Sequence, residues 1–392
     1  MELRRGREGD RGTLARLGAL SFGNEVSSWE EYYDPGRNPR LDPRGVYVVE
    51  EDGGVRATAT VLPLEVYVDG RAVEMGGVAA VNTHPAYRRR GYAGELMRLV
   101  LARMREEGRM LSVLWPFAHA FYRTYGWELA GESLSYRIGP TDLPTSEEQR
   151  RVRAYREEDL PRMMDLYAEE MARHPLAVVR GEAYWRWWMS RDGREAAIYE
   201  RDAKIEGYIL YEMTRWREER EPHRTLAVSE LITRTPEARA GLISFLAAQD
   251  PLVFGVRMST PRGEPLHPYL ASSHIKVEVE PEFMLRLVDV EGALRLLDLA
   301  ADPPLVLEVS DGGIPENAGS YTVGDGEISS GTEAEMRVSL DVRQLACLYA
   351  GYLPARELAR HGLIRPNYPE ALEVLDALFP VGDPYISEPD HF

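Results

Sequence analysis

The sequence predicts an α/β protein, α+β in its details, with one mixed unit repeated in tandem and a smaller α+β region after it. Three observations lead there. Alternating apolar stretches separated by Asp-Gly dipeptides read as hairpins. Stretches with helical periodicity are interleaved with them. The sequence then restarts near residue 150, where Arg151-Val-Arg-Ala-Tyr-Arg-Glu-Glu-Asp159 resembles Glu2-Leu-Arg-Arg-Gly-Arg-Glu-Gly-Asp10. A chain of 392 residues is long enough for three domains, each with its own core.

In order, residues 2–5 read as a short strand, and Asp10 opens a helix running through Leu14, Leu17 and Leu20. Residues 24–43 are polar, aromatic and rich in turn formers, a loop or an irregular helix pair. Val46 to Glu50 and Arg56 to Pro63 form a hairpin about Asp52-Gly53-Gly54. Leu64 to Val68 and Ala72 to Val81 form another about Asp69-Gly70, a type I′ dipeptide. A helix follows with Ala93, Leu96, Met97, Val100, Leu101 and Met104 on one face. Met110 to Trp115 is a short buried strand, and Pro116 to Arg123 a turn and helix ending at Gly126.

In the second copy, Ala227 to Leu231 with the following Thr-Pro turn repeats Val78 to Gly91, and Leu252 to Met258 repeats Met110 to Trp115. Tyr184, Trp185, Trp187 and Trp188 are expected to pack a core or interface. In the third region Phe283 to Val288, Leu305 to Val309 and Arg337 to Leu340 read as strands, followed by a helix from Val342. The expected domains are 1–147, 148–284 and 285–392.

The formal net charge of −17 argues against nucleic acid as a partner and favours a cationic one. No apolar run is long enough for a membrane span, and the N-terminus lacks a signal-peptide core, so a cytoplasmic location is expected. The single cysteine, Cys347, excludes an internal disulfide and a cysteine-rich metal site, and lies in an apolar helical stretch as a structural residue.

The chemistry concentrates in Val78 to Gly94: a strand, a His84-Pro85 turn, three arginines, then glycines opening a helix. Helix starts present unpaired N–H groups and the positive dipole end, which suits an anion. The second copy has Glu237-Ala238-Arg239-Ala240-Gly241 where the first has Tyr87-Arg88-Arg89-Arg90-Gly91, so it is expected to be structural.

Arg88-x-x-Gly91-x-Ala93 after an apolar strand, with Phe121-Tyr122-x-x-x-Gly126 further on, resembles the GCN5-related N-acetyltransferase superfamily. The whole chain, with segments WPFAHAFYRTYGWE and LDVRQLACLYAGY, is similar to its enhanced-intracellular-survival (Eis) type: an active GNAT domain, a degenerate second copy and a C-terminal domain like sterol carrier protein 2. The resemblance implies acetyl-CoA as cosubstrate, no metal, and N-acetylation of primary amines, most of all aminoglycoside-type polyamines. Protein lysines or small polyamines are the alternative acceptors, and a non-catalytic acyl-CoA or lipid binder the alternative class.

It implies cofactor contacts at Val81, Asn82, Thr83, Arg88, Arg89, Arg90, Gly91, Tyr92, Ala93 and Gly94, with Phe117 and Ala118 standing where some members carry serine and glutamate. Tyr122 is implied as the proton donor to the thiolate. The terminal carboxylate of Phe392 is implied as the group that deprotonates the amine. A homo-oligomer, a hexamer built as a trimer of dimers, is implied as well. Phe22, Glu25, Trp29 and Asp390 are the candidate substrate contacts, acids and apolar walls suited to a polycation.

Overall fold

A computed structural model describes residues 1–218, 221–249, 253–270, 275–324, 326–331 and 334–392, so Leu252 lies outside the described residues. The first stretch runs β1 (Glu2–Arg5), α1 (Arg11–Phe22), α2 (Val26–Tyr32), β2 (Val46–Glu51), β3 (Gly54–Val68), β4 (Arg71–Thr83), α3 (Tyr92–Glu106), β5 (Leu111–Leu114), α4 (His119–Arg123) and β6 (Glu128–Leu129). Then come β7 (Glu132–Ile138), β8 (Val152–Ala154), α5 (Leu160–Met171), α6 (Glu182–Met189), β9 (Arg194–Arg201), β10 (Lys204–Glu218), β11 (Glu221–Thr233), α7 (Pro236–Ala247), β12 (Gly255–Pro261) and β13 (Lys276–Pro281). The remainder is β14 (Met284–Leu287), α8 (Val290–Leu294), β15 (Leu305–Ser310), β16 (Gly319–Gly324), β17 (Glu327–Ser330), β18 (Met336–Asp341), α9 (Val342–Tyr349), α10 (Ala355–Arg360), β19 (Ile364–Pro366) and α11 (Ala371–Leu378).

The chain divides into two compact units, Met1–Gly131 with Glu282–Gly382 and Phe392, and Glu132–Pro281 with Asp383–His391. Among the described residues, the first unit holds a sheet in the order β1-β2-β3-β4-β5-β14-β6 and a five-stranded sheet β17-β16-β15-β18-β19. The second unit holds β13-β7-β12-β11-β10-β9-β8. The repeat is visible in single bonds. Arg4 donates to Glu50 (2.6 Å) and Asp10 (2.6 Å); Arg153 donates to Glu200 (2.6 Å) and Asp159 (2.7 Å).

Sheet membership does not follow the ranges 1–147, 148–284 and 285–392. β7 hydrogen bonds in the second unit's sheet, and β14, expected in the third region, lies in the first sheet between β5 and β6. All four residues of β14 are buried, so it needs neighbours on both edges and cover on both faces. The two hairpin strands expected on either side of Pro63 are one strand, β3. Its pairing with β2 ends at Thr60, so past that point one side is free for the donor proline lacks. Both turns are as expected: Asp52-Gly53 and Asp69-Gly70 have positive φ.

The third region packs within the first unit. Arg286, fully buried on β14, pairs with Asp311 at 2.6 and 2.8 Å, and Asn317 bonds Asp311 at 2.9 Å. Cys347 donates to the Leu129 carbonyl, and burial pushes its pKa up, as expected of a structural thiol. In the second unit Tyr184, Trp185 and Trp188 are buried on α6. Among the described residues no helix is long and apolar enough to cross a membrane.

Candidate active site

The site begins at a defect in β4. Its register with β3 slips, Thr58 opposing Asn82 and Thr60 opposing Ala79, and Ala80 takes a left-handed φ of 49°. That is a β-bulge at a residue with no glycine to ease it. Asn82 is buried and braces the bulge, its Nδ2 donating to the Ala80 carbonyl at 3.1 Å. On the other side β4 runs parallel to β5 only from Met75 to Val78. Past Val78 the two strands part, and Val81, Asn82 and Thr83 have no strand partner on that side among the described residues. Open N–H and C=O groups there form a ready template for an extended, amide-bearing ligand.

The strand leads through a turn, in which the His84 ring accepts from the Ala86 N–H, to the start of α3. Arg89 and Gly91 have φ of 62° and 85°, and Gly91 at the N-cap supplies no side-chain cap. The first carbonyl–amide bond closes only at Glu95, to Gly91, at 3.1 Å. The preceding amides therefore face outward at the positive end of a 15-residue helix. A Cβ on Gly91 would meet nothing within 4 Å, so the space over this turn is open. The apolar face of α3 is buried as its spacing predicts, through Leu96, Met97, Val100, Leu101 and Met104.

The three arginines differ. Arg90 reaches Glu51 at 3.8 Å and lies 4.9 Å from the Tyr87 ring, so its charge is committed. Arg88 and Arg89 are exposed and form no ion pair among the described residues. Tyr92 is buried, its hydroxyl donating to Glu51 at 2.5 Å, which leaves its backbone for any ligand. Gly94 is small for an internal reason: a Cβ there would sit 2.5 Å from the Tyr125 hydroxyl. Ala93 is half-buried on the same turn.

Tyr122 sits on α4, 2% exposed, ringed by Phe121 (5.0 Å), Phe117 (5.2 Å) and Trp127 (6.4 Å). Its hydroxyl has no hydrogen-bond partner among the described residues. Burial raises its pKa well above the ordinary tyrosine value, so it is protonated at neutral pH. Phe117 is 65% exposed and Ala118, at the N-cap of α4, is exposed too.

The terminal residue lies on the same sheet. The Phe392 ring stacks edge-on against Trp115, at the end of β5, at 4.8 Å. It also fills the space a side chain on Gly77 would need, 2.8 Å from that Cβ position. Gly76 does the same on the opposite face for Met104 Sδ (2.3 Å). Gly77 and Trp115 were missed by sequence reasoning; the signal was two adjacent glycines inside a strand, which mark close approach.

The candidate substrate residues are not gathered at one place. Phe22 (48% exposed) stacks on Trp29 at 5.2 Å, and Glu25 is exposed at the N-cap of α2. These three share no ring contact or hydrogen bond with Tyr122. Asp390 does not fit the substrate role: it is fully buried in the second unit, bonded to Arg180 and Tyr167, with no oxygen left for a ligand.

Comparison with known proteins decides the class. Residues 2–130 match an acetyltransferase (GNAT) domain family, 176–287 match a second such family, and 290–387 match the sterol carrier protein domain. This chain is a GNAT acetyltransferase. An uncharacterized N-acetyltransferase from Streptomyces avermitilis is 28% identical over 397 residues, spanning 90% of this chain and 93% of its own. Among solved structures, a GCN5-related N-acetyltransferase from Kribbella flavida aligns with TM-score 0.84 at 25% identity, covering 100% of this chain and 98% of that one. Eis1 from Mycobacterium abscessus shares the fold over 100% of both chains, with TM-score 0.79 and 22% identity. In this acetyltransferase the second GNAT domain differs from the first where it matters. Its helix α7 is capped by Thr235, whose Oγ1 accepts from the Ala238 N–H at 3.2 Å, and Arg239 is paired to Glu264 at 2.9 Å.

Proposed function

We propose that the first GNAT domain transfers the acetyl group of acetyl-CoA to a primary amine, with aminoglycoside-type polyamines as the acceptor class. One observation carries this reading: the strand edge opened by the Ala80 bulge leads into an uncapped helix start flanked by the uncommitted Arg88 and Arg89. An extended arm with two amides suits the edge at Val81, Asn82 and Thr83. A pyrophosphate suits the amides of 89–94 with the two arginines beside them. Phe117 and Ala118 offer an exposed border to the same ligand.

The amine nitrogen attacks the thioester carbonyl directly. A C–N bond forms and the C–S bond breaks. The amine proton passes to the Phe392 carboxylate, and Tyr122 gives its proton to the departing thiolate. A backbone N–H near Val81 donates to the oxyanion between these steps. Burial keeps Tyr122 protonated at neutral pH, so it has a proton to give the thiolate, although the same rise makes it a weaker acid than an ordinary tyrosine. The net charge of −17 supports a cationic acceptor, and Phe22, Glu25 and Trp29 are proposed as its contacts. The capped α7 supports binding of one acetyl-CoA per chain. A cytoplasmic hexamer completes the proposal, by likeness to Eis-type enzymes.

A thiol-release assay with acetyl-CoA tests it against aminoglycosides, polyamines and lysine peptides. Fastest turnover is expected with aminoglycosides; turnover confined to lysine peptides would replace them as the acceptor class. Tyr122→Phe is expected to lower kcat by about 100-fold or more at unchanged KM for acetyl-CoA. An unchanged kcat removes Tyr122 from the scheme.

A further inference from the structure

The second unit buries a polar cluster that acetyl transfer does not use. Arg180 Nη2 lies 2.7 Å from both Glu230 Oε2 and Asp390 Oδ2, and its Nε is 3.1 Å from Asp390 Oδ1. The guanidinium carbon lies over both the Tyr167 and the Trp185 ring, 4.1 and 4.2 Å from their centres, the two rings standing edge to face. Ser387 donates to Glu230 at 2.5 Å, and the Tyr184 hydroxyl donates to the Pro389 carbonyl at 2.5 Å.

The place of this cluster in the fold gives it meaning. β11 corresponds to β4. Each pairs in parallel with the next strand only as far as a valine, Val78 in one and Val228 in the other. Each also slips register against its hairpin partner just past that valine. Glu230 therefore stands where Ala80 stands, at the mouth of the opening between strands. In the first copy a small residue leaves that opening clear. In the second copy a carboxylate fills it and bonds both Arg180 and the chain's own residue 387. Residues 384–387, 389 and 390 are buried, although chain ends ordinarily fray.

We infer that the second GNAT domain is a receptor for the C-terminal tail: its opened strand edge is a peptide cleft, with Arg180 and Glu230 reading the Asp390 carboxylate and the Ser387 hydroxyl. Arg180, Glu230 and Asp390 are positioning residues, because the stem they hold ends two residues later at Phe392. That consequence for turnover rests on the proposed role of Phe392; the tail-binding function does not.

Asp390→Ala is the informative variant, since it leaves Arg180 still paired with Glu230 and no buried charge stranded. Tyr184→Phe, which removes only the bond to the Pro389 carbonyl, is the second. Hydrogen exchange is measured on the full chain. In Asp390→Ala, exchange of the amides of residues 385–388, 390 and 391 is expected to accelerate at least tenfold while β4 and α3 keep their protection, and Asp390→Glu is expected to restore part of it. Unchanged exchange at these amides in both Asp390→Ala and Tyr184→Phe overturns the inference, whatever happens to activity. Accelerated exchange with lowered kcat and unchanged KM for acetyl-CoA supports both readings. Accelerated exchange with unchanged kcat supports the receptor and removes Phe392 from catalysis.

Discussion

Gly77→Ala puts the proposed role of the terminal residue to a direct test. The added Cβ would lie 2.8 and 2.9 Å from Phe392 Cζ and Cε2 and 2.9 Å from Leu64 Cδ1. Carbon atoms settle at roughly 3.5–4.0 Å, so the ring must retreat by about 1 Å. The ring belongs to the last residue of the chain and yields more easily than the β3 side chain. A displacement of about 1 Å near reacting groups costs up to roughly 100-fold in rate. The expected result is a kcat lowered about 10- to 100-fold, with the KM for acetyl-CoA within about twofold of the parent. Overpacking costs about 1–3 kcal/mol of stability, visible as a Tm lowered by several degrees. Gly76→Ala is the matched control. Its Cβ would clash with Met104 Sδ at 2.3 Å, in the core on the other face, so it should lose comparable stability but little kcat while folded. Thiol release and thermal melts of both variants decide the matter. If Gly77→Ala turns over like the parent while losing stability, the position of the Phe392 ring does not govern the reaction.

The arginines should separate by their commitments. Arg88→Ala and Arg89→Ala are each expected to raise the KM for acetyl-CoA about tenfold or more, as charged hydrogen bonds contribute about 1.5–3 kcal/mol, whereas Arg90→Ala should act less on KM because Arg90 already serves Glu51 and Tyr87; initial rates against acetyl-CoA concentration compare them. Asp311→Ala leaves Arg286 buried without its carboxylate and should cost about 3–5 kcal/mol in denaturant unfolding; a loss below about 1 kcal/mol would show that the pair does not hold the third region to β14. Burial pushes the Tyr33 hydroxyl up to about 12, against the opposing effect of the Thr60 and Thr58 hydroxyls beside it. The fold favours the protonated form, so this stabilisation is complete below the unfolded tyrosine value near pH 10 and drains as pH rises towards the folded one. Melting temperatures should therefore fall more steeply above about pH 10 in the parent than in Tyr33→Phe; parallel curves would contradict the shift.

Much of the fold was legible in the chain. The Asp-Gly turns, the apolar face of α3 and the restart at residue 151 depend on stereochemistry and periodicity within a few residues, and each is present. The arginine-glycine helix start is equally local, and it has the uncapped geometry expected of it. The bulge itself was not legible: Ala80 carries no turn signature, and its positive φ is held by the buried Asn82 side chain and the register with β3. Neither was the commitment of Arg90 to Glu51, since the two residues meet only when β2 pairs with β3 and α3 packs beside them.

By itself, then, the sequence determined the repeat and which copy keeps the arginine-flanked, glycine-opened helix start, because these follow from patterns read within single turns and strands. The tertiary structure decided which sheet receives β7 and which receives β14, that Asp390 is a buried tail anchor, and that Phe392 rests on Gly77 and Trp115. The strand partners of β7 and β14 and the Arg180–Asp390 pair join residues more than a hundred positions apart, and nothing in the local pattern of either partner specifies the other.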